Sequence, residues 1–250
     1  MENVVERLII VLLMSIAFTA NATTKVAVID TGFDLDNPRH VKLCKDGHKD
    51  FTNTNIKDSH GHGTHIAGLI ANNADNSDYC LVILKYYPAK NQLLSSLNSL
   101  KYAIFMKVDI INYSGGGTDK SELECKLIKQ ALDQGIKVVA AAGNERSDLA
   151  LKGYYPALCD ERVVVVGTDH KRLPAANYGA PIKYLEDGLN VVSILPNNRT
   201  GTMSGTSQAT AIRTGKIVKQ IDTSKQIMRC DNANSAISRY PELASMLHCF

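Results

Sequence analysis

The chain reads as an α/β protein: a central, mostly parallel β-sheet flanked by helices. Short β-branched runs alternate with helix-forming stretches along most of its length, and that alternation builds a parallel sheet with helices on its faces. The runs are continuously apolar rather than alternating, as strands covered on both sides must be. Polar, Gly-rich signals fall where the runs end, and the carboxyl ends of parallel strands are where such sheets place their sites.

Residues 26–30 (VAVID) form the first predicted strand, a buried run that ends in Asp30 and then Thr31-Gly32. Residues 81–86, 109–113, 138–142 and 163–167 have the same character. Helices are predicted over 62–72, 92–107, 121–134 and 207–221. In the second of these, Leu93, Leu94, Leu97, Leu100, Ile104 and Phe105 recur at steps of three and four, which predicts one apolar face. Gly135 stands where the third helix needs a C′ residue. No repeat, low-complexity stretch or linker interrupts the series, so one domain is predicted.

Composition narrows the function. The 250 residues are 44% apolar and 21% charged with a net charge of +3, a globular balance. That charge is too weak to point to nucleic acid or an anionic membrane. With no Trp, 5 Phe and 10 Tyr, an aromatic platform for single strands is also disfavoured. Residues 8–20 (LIIVLLMSIAFTA) are apolar but too short to span a bilayer. They follow Arg7 and precede Ala20-Asn21-Ala22, the pattern of a cleaved signal peptide over residues 1–22. The expected product, residues 23–250, is secreted or periplasmic and free of the membrane after cleavage. All six cysteines lie in it, which suits up to three disulfides in an oxidising compartment. Sequential pairing (Cys44 with Cys80, Cys125 with Cys159, Cys230 with Cys249) is the simplest of fifteen arrangements, and only the last, a tethered tail, has a reason behind it. No cysteine or histidine cluster has zinc-ligand spacing.

Three residues stand at Gly-flanked strand–loop–helix junctions: Asp30 in IDTG, His62 in GHGTHIAG and Ser207 in SGTSQA. Each alone has an ordinary reading, as a strand-end carboxylate, a helix-start histidine or an N-cap serine. Together they are the parts of a nucleophilic triad. Asn144 in AAAGNE adds a side-chain amide to complement the Ser207 N–H at a developing oxyanion.

With these four motifs in the order Asp, His, Asn, Ser, the sequence from residue 26 to about 221 resembles the subtilisin-like serine proteases, the subtilase family. The resemblance implies a three-layer subtilisin-like fold and an endopeptidase acting through an acyl-enzyme. Asp30, His62 and Ser207 correspond to its triad and Asn144 to its oxyanion-hole asparagine. Ser114-Gly115-Gly116 is similar to the strand that pairs with an extended peptide substrate, and Ala141-Ala142-Gly143 to one wall of the pocket for the residue before the cut (P1). Tyr154 falls near that pocket's floor, where its ring restricts P1 to small side chains.

Some features depart from the family pattern. Gln208-Ala209-Thr210-Ala211 lacks the usual proline after the nucleophile, and Arg213, Lys216 and Lys219 put three cations on a helix that is ordinarily apolar. Either that helix is more exposed here, or Arg213 pairs with a buried acid or a partner. No cofactor is required. Arg39 stands where many members place a calcium-binding aspartate, which disfavours that site; the oxygen-rich loop 72–78 reads first as a solvated turn, so calcium binding is doubtful. The rival reading is a catalytically silent, peptide-gripping relative; an esterase is disfavoured because Ser207 lacks a Gly-x-Ser-x-Gly elbow. With Thr23 only seven residues before Asp30, no pro-domain is expected, and the disulfides, a separate inhibitor or a folding partner would take over its role.

Overall fold

A computed structural model of the chain describes residues 23–36 and 38–239. The predicted signal peptide, residues 1–22, and Cys249 lie outside them. The described residues divide into a large body, Thr24–Ser224, and a small unit whose described part is helical from Lys225 onward.

The described residues hold nine strands and four helices. They follow in the order β1 Thr24–Asp30, β2 Lys49–Asp50, α1 His62–Ala74, β3 Tyr79–Lys85, α2 Gln92–Phe105, β4 Ile110–Tyr113, α3 Glu122–Asp133, β5 Lys137–Ala141, β6 Val164–Gly167, β7 Tyr184–Leu185, β8 Val191–Leu195, β9 Arg199–Met203 and α4 Thr206–Arg239. Seven strands form one parallel sheet in the order β2-β3-β1-β4-β5-β6-β7, and β8 and β9 form an antiparallel hairpin. All five predicted strands and all four predicted helices are present within one or two residues, except that α4 runs on to Arg239. Sequence reading passed over the two-residue edge strands and the hairpin, whose polar β9 (RTGTM) lacks any apolar run.

Both faces of the sheet are covered, which is why its strands are apolar at every position. Ala27 and Ile29 of β1 point into a core with Leu97, Leu100 and Ile104 of α2 and Leu127 and Ile128 of α3. Val26 and Val28, facing the other way, pack with Ile66 and Ile70 of α1 and Ala209 and Val218 of α4. These are the three layers of the predicted architecture. The apolar face of α2 is narrower than predicted: Leu97, Leu100 and Ile104 are buried, but Leu93, Leu94 and Phe105 are exposed. Ser95, Ser96 and Ser99 occupy the inner face instead. They are tolerated there because each is hydrogen-bonded, Ser95 to the Phe51 carbonyl, Ser99 to the Ser95 carbonyl and Ser96 to the Tyr113 hydroxyl.

After β1 the chain builds outward to β3 on one side, and then returns to lay β4 on the other side of β1. A reversal of strand order leaves a crevice at the carboxyl ends of the two strands beside it. Asp30 ends β1 and Ser114 follows β4, so both open into that crevice.

Candidate active site

His62 is the first residue of α1 and half-buried. Its Nδ1 lies 2.8 Å from Asp30 Oδ1, which also accepts the Thr31 N–H at 2.8 Å. With the ionised carboxylate on Nδ1, the ring's Nδ1–H is the donor and Nε2 is left as the basic nitrogen. Burial works to lower the His62 pKa, but the charge of Asp30, its hydrogen bond and the charge of Asp58 outweigh it, so the pKa is raised above the ordinary imidazole value.

Asp58 has no part in the four motifs, yet it builds this corner. Its buried carboxylate accepts five hydrogen bonds: from the Thr31 and Thr64 hydroxyls and from the N–H groups of His60, Gly61 and Thr64. The N-cap residue Gly61 has no side chain to serve the open N–H groups of α1, so Asp58 supplies the acceptor from three residues upstream. The Thr31 hydroxyl in turn accepts the Gly63 N–H at 2.7 Å, tying the turn after β1 to the first turn of α1. Gly63 is required here, since a Cβ on it would lie 2.5 Å from the Gly32 carbonyl oxygen. An acid four residues ahead of His62, just before a helix start, was the available signal in the sequence.

Ser207 lies in the first turn of α4, where its N–H has no helical acceptor. Its hydroxyl donates to the Ser114 carbonyl at 2.7 Å, while the Ser114 hydroxyl donates to the Ser207 carbonyl at 3.2 Å. Among the described residues this hydroxyl therefore bonds to Ser114 and not to His62. Thr206, fully buried, bridges to the loop after β5: its N–H donates to Asn144 Oδ1 and its hydroxyl accepts the Gly143 N–H, both at 3.0 Å. With Oδ1 so engaged, the exposed Asn144 presents its Nδ2 as the donor.

Tyr154 lies between the backbones of Gly116 and Gly143. A Cβ on Gly116 would come within 2.6 Å of Tyr154 Cε1, and one on Gly143 within 2.6 Å of Cε2, so the ring fills the slot between these backbones. Gly117 and Tyr155 exchange both backbone hydrogen bonds, at 2.9 and 2.8 Å, which anchors the Tyr154 loop to the end of the substrate strand. Ala141 and Ala142 are buried behind Gly143.

Residues 21–229 match the subtilase family. The chain belongs to the subtilase family. This subtilase is 36% identical over 206 residues to the major intracellular serine protease of Bacillus subtilis (strain 168), an alignment covering 74% of the chain and 64% of that relative. It is 33% identical to the intracellular serine protease of Paenibacillus polymyxa (81% and 68% covered). To the minor extracellular protease Epr of Bacillus subtilis (strain 168) it is 32% identical (74% and 30%). The chain thus spans less than two thirds of the first and last of these. Among solved structures, a lanthipeptide protease superposes with a TM-score of 0.71 at 21% identity, covering 81% of this chain and 74% of that one. A cold-adapted subtilisin-like serine proteinase gives 0.64 at 24%, with 79% and 76% covered. At these identities the two structures speak for the fold.

The structure accounts for the unusual charges of this subtilase. Arg213 meets a buried acid: its Nε lies 3.0 Å from Glu186 Oε1, whose side chain is 6% exposed, and its guanidinium stacks 3.7 Å from the Tyr184 ring. Lys216 takes the other Glu186 oxygen and Lys219 reaches Asp75 at 3.7 Å. Arg39 donates to the Arg199 carbonyl. Asp75 of the oxygen-rich loop thus faces an ammonium, and among the described residues no group of three or more Asp, Glu, His or Cys could hold a metal ion.

Proposed function

We propose that the chain is an exported serine endopeptidase acting through Asp30, His62 and Ser207, with Asn144 as an oxyanion donor. The observation that carries this reading is the Asp30–His62 pair at 2.8 Å in the same crevice as a helix-start serine hydroxyl. An extended peptide adds as a strand beside residues 114–116. Ser207 swings from the Ser114 carbonyl to His62 Nε2, gives up its proton there and attacks the scissile carbonyl. Asp30 stabilises the imidazolium, which then protonates the leaving amine. The Ser207 N–H and Asn144 Nδ2 receive the oxyanion, and water attacks the resulting acyl-enzyme by the reverse sequence. The rival, a silent peptide binder, rests on the charged face of α4 and the missing proline. The first of these is met by Glu186, which pairs with Arg213 and Lys216, and by Asp75, which pairs with Lys219.

Kinship leaves location open, because the relatives include intracellular and extracellular proteases. Two disulfides, Cys44–Cys80 and Cys125–Cys159, together with the apolar run at residues 8–20, support export to an oxidising compartment. The test is covalent labelling by a fluorophosphonate probe together with cleavage of an unfolded protein. Wild type labels and cleaves, and Ser207→Ala does neither. A folded, oxidised wild type that takes no label would sink the enzyme reading.

Tyr154 sets the preference at P1. With its ring in the slot, the enzyme cleaves after Gly, Ala or Ser. Tyr154→Ala vacates the slot and raises kcat/KM for peptides with Leu or Phe at P1 by roughly 10- to 100-fold, the span that apolar pocket contacts supply. Peptides varied only at P1 check this. A wild type that already favours Phe at P1 contradicts it.

A further inference from the structure

We infer that Asn177, a residue outside all the motifs, is the positioning residue that holds the oxyanion loop in register. It rests on the reading of Asn144 as an oxyanion donor. Asn177 is 1% exposed, and every hydrogen-bonding position of its amide is filled by the loop that carries Asn144. Nδ2 donates to the Ala142 carbonyl at 2.8 Å and to Glu145 Oε2 at 2.6 Å. Oδ1 accepts the N–H groups of Glu145 and Ser147, both at 2.9 Å. Its own N–H donates to the Gly143 carbonyl at 2.9 Å.

These bonds land on both sides of Asn144, on residues 142 and 143 before it and 145 and 147 after it. Asn144 itself is exposed and, among the described residues, its side chain is held by the one bond from Thr206. An exposed side chain that must meet a developing charge within tenths of an ångström needs a backbone that does not yield, and Asn177 supplies that from within the core. An amide is the group that fits, because the loop offers two acceptors to one end of the side chain and two donors to the other.

The inference predicts a loss confined to the transition state. Asn177→Ala lowers kcat by about 10- to 100-fold while KM stays within about twofold. Asn177→Asp keeps the shape and both accepted bonds but loses both donated ones; it shows the same kcat-selective loss and stands in if the alanine variant does not fold. The deciding measurement is a double-mutant cycle with Asn144→Ala, each protein first checked for a cooperative thermal transition. Once Asn144 is gone there is no donor to position, so adding the Asn177 substitution costs less than about twofold in kcat. If Asn144→Ala alone leaves kcat unchanged, the oxyanion reading itself fails. If that loss is large and the Asn177 loss multiplies with it in full, Asn177 acts elsewhere and only the positioning inference is overturned. Failure of both Asn177 variants to fold would assign the residue to stability alone and overturn it equally.

Discussion

Asp30→Asn is expected to lower kcat by about four orders of magnitude, with KM little changed, and to move the acid limb of the pH–rate profile to lower pH. The two effects have one cause. Among the described residues the Asp30 carboxylate bonds to His62 and the Thr31 N–H and to none of residues 114–116, so substrate binding is expected to be spared. What disappears is the charge that faces the imidazolium in the transition state. The same charge outweighs burial and raises the His62 pKa. His62 must be neutral to accept the Ser207 proton, so wild-type activity falls as pH drops through that raised pKa, about tenfold per unit below it. Without the carboxylate, burial dominates and the pKa falls, so the base stays unprotonated to lower pH. A profile of kcat/KM against pH for both proteins checks the sign. A rate loss under tenfold, or a limb that stays in place, would contradict the assigned role.

The raised pKa also has a stability consequence of opposite sense. A histidine whose folded pKa lies above its unfolded value contributes stability that is fully present below the unfolded pKa and lost as pH rises through the folded one. As the proposed base, His62 would therefore act in the pH range where its pairing with Asp30 stabilises the fold least. The Asp58 carboxylate, which accepts the Thr64 N–H and hydroxyl, fixes the first turn of α1 that carries His62.

Much of the sheet and the four motif residues were legible because each follows from a local rule. A β-branched run such as VAVID makes a strand wherever it lies, and Gly61, Gly63, Gly143 and Gly205 mark where backbone must turn or pass closely. What stayed hidden depends on partners distant in sequence. Arg213 looked out of place on a buried helix until Glu186, 27 positions earlier, took its charge. The serines of α2 look like a polar face but lie inside, because Phe51 and Tyr113 bring acceptors and hydroxyls to them. Asn177 follows an unremarkable Ala-Ala and has no pattern around it at all; its importance exists only once residues 142–147 are folded against it. The sequential disulfide guess held for two pairs, Cys44–Cys80 and Cys125–Cys159, with Cα separations of 4.8 and 4.7 Å. Chain geometry, rather than any sequence signal, brought those cysteines together.

Reducing those two disulfides is expected to remove most of the protein's stability. They close loops of 36 and 34 residues, each restricting the unfolded chain by about 4 kcal/mol on the loop-entropy scale. Together that is about 7–8 kcal/mol, set against the roughly 5–15 kcal/mol that holds a typical domain. The first clips the loop at Cys44 to Cys80 in β3, beside the backbone bonds that Lys42 and Cys44 exchange with Leu81. The second joins α3 to Cys159, five residues after Tyr154, and so ties down the segment that follows the proposed pocket residue. Paired replacement with serine separates the two. Each pair is expected to lower the melting temperature by roughly 8–16 °C for a body of this size, and reductant on the wild type to give about the combined shift. Only the Cys125/Cys159 variant should, well below its melting point, also relax the P1 preference toward larger residues, because only that bridge restrains the Tyr154 loop. A melting temperature indifferent to verified reduction would contradict the loop-entropy contribution of both bridges.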